Sequence, residues 1–202
     1  MQQNNHLNRR GFIIAGSATI LGAATPSFAI SSGSAEGLVN SLVAEVLKTV
    51  NASMSDNARF AKFEQIFARY ADVPLIARKS LGPAYQAANK SQQAAYVDAF
   101  KGYMARSYGG RYFKQFIGAE IKVTKSKKIS GGYLVDSSVK TKGGTPFLTQ
   151  WHVIDARGTD KMYNIFVEGV SILTDTRTQI GSMLDARGGN IDKLIAHLKT
   201  AR

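Results

Sequence analysis

Leu38, Val39, Leu42, Val43, Val46, Leu47 and Val50 recur at helical spacing, with Asn40, Glu45 and Lys48 on the opposite side. This pattern predicts an amphipathic helix of about four turns. A second stripe, Phe60, Phe63, Ile66, Phe67 and Tyr70, predicts a helix from about Asp56. Asp72-Val73-Pro74 reads as the start of a short helix, with Pro74 near its first position, and Gly82-Pro83 as its end. Ser91 is a candidate N-cap for a longer one, whose aromatic face runs through Tyr96, Phe100, Tyr103, Met104 and Tyr108. Gly109-Gly110 should bend or break that helix before the pattern resumes at Tyr112, Phe113 and Phe116 and stops at Gly118.

The period then changes from helical to two. Ile121 and Val123 alternate with polar residues up to a turn at Ser130-Gly131-Gly132. Tyr133, Val135, Ser137 and Val139 share one face of the next strand, which ends at Gly143-Gly144. Phe147, Thr149, Trp151 and Val153 share a face of the third, ended by Arg157-Gly158. In the fourth, Tyr163, Ile165 and Val167 point one way and Asn164, Phe166 and Glu168 the other, until Gly169 interrupts. Thr174 and Asp175 offer N-cap oxygens for a helix reaching about Arg187, and Ile191 to Leu198 forms the last helix. Short turns between successive strands imply an antiparallel meander. The order predicts an α+β fold: a curved antiparallel sheet of about four strands covered by helices on one face.

Parity gives each face its chemistry. One face collects the residues just named, from Ile121 to Val167, and holds no carboxylate, histidine, lysine or arginine; acid–base or nucleophilic catalysis within it would lack its agents. It suits either a plainly packed core or a cavity for an acyl chain or sterol-like ligand. The other face carries Asp136, His152 and Glu168. An enzyme would need these three to point inward, which a one-residue shift of register would bring about. A third possibility is an adaptor without ligand, with a filled interior and an exposed apolar patch.

Composition narrows the choice. The 202 residues, 44% hydrophobic, are enough for one domain with one core. The net charge of +12 fits an anionic partner or simply a solvated basic surface. The densest basic group, Lys125, Lys127 and Lys128, lacks interleaved aromatics, so nucleic acid is not the partner read here. With no cysteine there is no disulfide, thiolate chemistry or lipoprotein anchor, and His6, His152 and His197 make no metal-ligand spacing. No metal, cofactor or catalytic residue is expected. At the N-terminus, Asn8-Arg9-Arg10-Gly11-Phe12-Ile13, an apolar run to Ala24 and Ser27-Phe28-Ala29 have the layout of a signal peptide cut after Ala29. The arginine pair resembles a twin-arginine signal. A single domain over 30–202 would follow.

Specific segments carry a resemblance. Ala95-Tyr96-Val97-Asp98-Ala99-Phe100 with Tyr103 and Tyr108-Gly109, then Trp151, then Val167-Glu168-Gly169-Val170-Ser171-Ile172-Leu173 resemble the MlaC family of periplasmic phospholipid-binding proteins. This family is also known as the toluene-tolerance auxiliary component of an ABC transport system. Asp72 to Ala77 with Gly82, and Leu184 through Gly189, are similar to its other motifs, so the likeness runs from Leu38 to Leu198. The resemblance implies a nuclear-transport-factor-like cone with an apolar cavity, non-catalytic and monomeric, in the periplasm. It implies a shuttle of glycerophospholipid between an outer-membrane lipoprotein complex and an inner-membrane ABC transporter complex, serving outer-membrane lipid asymmetry. A hopanoid or other sterol-like cargo, or a pure adaptor of the transporter, are the alternatives. Carried over by position, the lipid-binding residues would be Leu75, Ile76, Leu81, Phe100, Tyr103 and Met104 from helices. From the sheet they would be Val135, Val139, Trp151, Val153, Tyr163, Ile165 and Val167. Arg78 and Lys79 lie where a cation near the mouth could meet a phosphate.

Overall fold

The computed structural model describes residues 30–201. The predicted signal segment with its cut after Ala29 lies outside them. Helix α1 (Ser32–Asn51) opens with a capping box between Ser31 and Ser34. It is followed by α2 (Asp56–Tyr70), α3 (Val73–Leu81), the short α4 (Pro83–Ala87) and α5 (Lys90–Tyr112). A 3-10 turn, Phe113–Phe116, leads into strands β1 (Glu120–Ile129), β2 (Gly132–Lys140), β3 (Phe147–Asp155) and β4 (Asp160–Val167). A two-residue β5 (Val170–Ser171), α6 (Ile172–Asp185) and α7 (Ile191–Leu198) complete the described chain. The strands form one antiparallel sheet in sequence order, β1-β2-β3-β4-β5, and α1 lies against β1 through β4. The predicted α+β meander under helices is therefore present, with one short strand more than expected.

The caps correct three boundaries. Asn89, not Ser91, starts α5: its side chain accepts from Gln92 N–H while Gln92 reciprocates to the Asn89 backbone. Ser171, not Thr174 or Asp175, starts α6, its hydroxyl accepting the Thr174 N–H at 3.1 Å. A Glu168-Gly169 turn, both residues at positive φ (48° and 81°), folds β5 back on β4 so that the strand passes directly into the helix. Pro83, expected only to end α3, also begins α4.

The glycine pair in α5 does not break it. A Cβ on Gly109 would stand 2.4 Å from Phe63 Cδ2, and one on Gly110 would stand 3.2 Å from Phe60 Cε1. These glycines let two aromatic rings of α2 lie directly on the α5 backbone, and that packing compensates the weak helix propensity of the pair. Beneath this contact Arg59 is buried (6% exposed) and ties off the α1–α2 corner. Its Nη1 donates to Thr49 O at 2.8 Å and its Nη2 to Met54 O at 3.2 Å, with the guanidinium 4.4 Å over the Phe113 ring.

Two β-bulges set the side-chain parity of the sheet. One at Thr124 changes the β1–β2 pairing from Val123↔Ser137 to Lys125↔Asp136. Ser126 and Lys128 thereby come opposite Val135 and Tyr133, on the helix-covered side. The other, at Tyr163, pairs Val153 with Met162 and His152 with Asn164. Met162 (7% exposed) thus takes the core position that simple alternation assigned to Tyr163, and its carbonyl accepts the Asp72 N–H at 3.0 Å at the α2–α3 junction.

The glycines give a test of packing against propensity. Gly109→Ala should destabilise the protein by about 1–3 kcal/mol, because overpacking against Phe63 exceeds the gain in helix propensity. Gly181→Ala in α6, where a Cβ meets nothing within 4 Å, should stabilise it by about 0.5–1 kcal/mol. Chemical denaturation of the two variants should give shifts of opposite sign; a stabilised Gly109→Ala would contradict the packing described.

Candidate functional site

The helix-covered face of the sheet is almost entirely neutral. At its centre are Val135, Ser137, Thr149, Trp151 and Val153, between 0% and 9% exposed. Ile76, Ala77 and Leu81 of α3, Tyr96, Phe100 and Tyr103 of α5, Ile180 of α6 and Leu194 of α7 belong to the same core, together with α1 residues such as Val39 and Leu42. The only charged side chain among the buried described residues is Arg59, at the α1–α2 corner. Ionisable groups share the covered face at its far end, where Lys128 of β1 and the paired Asp155 and Asp160 of β3 and β4 have its parity. There the bulge turns Ser126 inward to donate to Glu36 of α1, and leaves Lys128 exposed. That corrects, at this rim, the expectation of a face wholly without carboxylate or lysine.

Most polar atoms within the wall have partners; the buried Ser107 hydroxyl of α5 has none among the described residues. Trp151 Nε1 donates to Ser137 Oγ at 2.9 Å, and Ser137 donates to Thr149 O at 3.2 Å. On the helix side, Ser80 donates to Ala77 O at 2.8 Å, so the Tyr96 hydroxyl, 2.8 Å away, donates to Ser80. Burial pushes the Tyr96 phenol well above its ordinary pKa, which keeps it neutral. Tyr103 donates to Gln179 Oε1 at 3.2 Å, and Tyr108 exchanges a hydrogen bond with Thr176 at 3.1 Å. These pairs join α5 to α3 and α6. With the Trp151, Ser137, Ser80, Tyr96 and Tyr103 donors internally satisfied, the wall offers a ligand mainly hydrocarbon contact.

The thirteen lipid-binding residues expected from the sequence fall into three groups. Ile76, Leu81, Phe100, Tyr103, Val135, Trp151 and Val153 come together in the core. Met104, Tyr163 and Ile165 are half-buried against it. Val139 is buried but stands apart from that cluster, while Leu75 and Val167 are half-buried outside it. Tyr163 sits at the bulge, its ring edge-on to His152 at 5.3 Å. Alternation missed Met162, which a single sequence cannot reveal because a bulge leaves no mark in hydropathy. Arg78 and Lys79 are exposed in the last turn of α3, where cations favour the helix dipole.

Phe100, Val135 and Val153 have no exposed surface, so side chains pack closely around them at the centre of the fold. Two open hollows lie instead at one end of the sheet. One, of about 500 Å³, is bordered by Lys114, Ile117 and Lys142; the other, of about 260 Å³, by Thr124, Phe147, Leu148 and Glu168.

The three candidate catalytic groups do not converge inside. His152 and Asp136 pair with Asn164 and Gln150 on the opposite face from Trp151. Asp136 accepts from Gln150 Nε2 at 2.8 Å, and the Glu168 carboxylate accepts the Leu148 N–H. Burial lowers the His152 pKa, which favours its neutral form.

The Trp151–Ser137 pair can be measured. Ser137→Ala strands a buried indole N–H and should cost about 1–3 kcal/mol, part of which Ser137→Ala/Trp151→Phe should recover. Denaturation midpoints report both; equal stability of Ser137→Ala and the native protein would mean that the N–H finds another acceptor.

Comparison with known proteins agrees with this arrangement. The fold is similar to that of a phospholipid-binding protein from Ralstonia solanacearum, solved in complex with a phospholipid, at a TM-score of 0.65 and 21% identity. The superposition covers 81% of this chain and 98% of that one. The family model described as MlaC protein matches residues 40–200, and on that match the chain belongs to the MlaC family.

Proposed function

We propose that this protein binds a glycerophospholipid by its acyl chains, between the covered face of the sheet and helices α3, α5 and α6, and carries it across the periplasm. In this reading it is the non-catalytic shuttle of an Mla-type ABC lipid transport system. It exchanges cargo with an outer-membrane lipoprotein complex and an inner-membrane transporter complex. The observation that carries the proposal is the neutral centre of the covered face, where the Trp151 and Ser137 donors are already paired. Such a wall gains about 0.8 kcal/mol for each acyl methylene it buries and needs no specific partner in the cargo. Membership of the MlaC family supports the periplasmic carrier role, and the phospholipid held by the similar Ralstonia solanacearum protein supports the class of cargo.

Because side chains fill the centre, uptake requires the helices to part from the sheet. The half-buried residues Leu75, Met104, Tyr163, Ile165 and Val167 have exposed surface to trade against an incoming chain. The thirteen residues from Leu75 to Val167 expected as lipid-binding are accordingly proposed as the wall of the opened cavity. No helix among the described residues is long and apolar enough to cross a membrane. Export through the proposed twin-arginine signal, cut after Ala29, would leave a chain starting at Ile30.

Native mass spectrometry of the protein recovered from the periplasm without detergent, followed by lipid extraction, tests this reading. The expected result is a chain beginning at Ile30 with a bound two-chain phospholipid. A hopanoid would keep the carrier and change its cargo. An empty protein that also refuses added phospholipid would overturn the proposal and favour an adaptor.

A further inference from the structure

Among the described residues, the large apolar side chains left exposed are Ile117 (45%), Leu148 (40%) and Val170 (62%). They are far apart in sequence, yet the sheet brings them to one end. Glu120 pairs with Lys140, Val139 with Phe147, Thr149 with Val167 and Val167 with Val170. β1 and β3 therefore begin, and β2 and β4 end, at the same edge. Ile117 borders the hollow shared with Lys114 and Lys142, and Leu148 borders the neighbouring one.

Around these apolar tips the charge is positive. Lys114, Lys140 and Lys142 are exposed, and none is ion-paired among the described residues. Lys122 pairs with Glu120 at 3.2 Å, and the Glu168 carboxylate is engaged by the Leu148 backbone. We propose that this end of the sheet is a docking face for an anionic phospholipid bilayer, with Ile117, Leu148 and Val170 entering the headgroup boundary and the lysines resting on lipid phosphates. Aliphatic tips ringed by lysines match a lipid surface. A protein interface is enriched in aromatics, methionine and arginine and depleted of lysine; of the enriched types only Phe147 is named at this end, and it lies on the covered face.

The proposal deepens the carrier reading and rests on it in one respect. Phe147 and Val167 lie on the covered face at this same end: Phe147 is two residues before Thr149 on β3, and Val167 is paired with Thr149. A lipid leaving a bilayer docked here meets the apolar wall without crossing the polar outer surface.

The test is sedimentation of the periplasmically recovered protein with vesicles of phosphatidylglycerol and phosphatidylethanolamine, against vesicles of phosphatidylcholine alone. Binding is expected only to the anionic vesicles and should weaken as salt rises. Ile117→Ser/Leu148→Ser/Val170→Ser, all at exposed positions, should reduce it about tenfold, and Lys114→Glu/Lys142→Glu should abolish the anionic preference. Both variants should keep the melting behaviour and lipid content of the parent. Equal binding to both vesicle types, or an unaffected apolar variant, overturns the proposal. So does a protein that carries phospholipid but ignores anionic vesicles, which leaves the carrier reading intact and returns this end to a protein partner. Vesicle binding by a protein that takes up no lipid supports the docking face and removes the carrier reading.

Discussion

A sheet buried on one face cannot place a charge there without a partner, since the cost of taking an ion out of water exceeds what a single hydrophobic contact returns. In this protein that constraint acts through strand register, because register decides which alternate residues face the helices. The pairing Val135↔Trp151↔Ile165 puts three apolar side chains in a row across β2, β3 and β4, and places Leu134, His152 and Asn164 on the reverse. The hydrogen bond from Trp151 to Ser137 crosses between β3 and β2 on the covered face and satisfies that face's indole donor internally. Helix packing and the neutrality of the central rows of this face follow from this register.

The helices add a second layer of the same economy. Tyr96, Tyr103 and Tyr108 along α5 each hydrogen-bond a neighbouring helix through the hydroxyl, so their rings join the core with these donors paired. Arg106 closes the far side by donating to the carbonyls of Leu198 and Ala201, which otherwise end α7 unsatisfied. The result is a shell fastened by hydrogen bonds at its seams and held by hydrocarbon contact at its centre.

Much of this was legible in the sequence because hydropathy period reports burial. The stripe from Leu38 to Val50 and the alternation from Tyr133 to Val139 each gave the element, its type and its buried side. What alternation could not show was a change of phase. At Thr124 and Tyr163 one extra residue restores the pairing but exchanges the faces, so Met162 and Ser126 turn inward unannounced. Glycine was misread for a related reason: propensity alone says that Gly109-Gly110 weakens a helix, whereas the rings of Phe60 and Phe63 need that space. Of the candidate site, the central residues were readable from parity and the rim was not, because the rim depends on bulges and turns rather than on period.

The central claim is that cargo acyl chains lie against the covered face of the sheet. Trp151, the single tryptophan of the chain, stands in the middle of that face, so its fluorescence reports on that face alone. Loading the protein with a phospholipid brominated along its acyl chains should quench Trp151 strongly, while the same lipid without bromine should leave it bright. Stoichiometric binding of the brominated lipid with Trp151 unquenched would place the chains elsewhere and contradict the account.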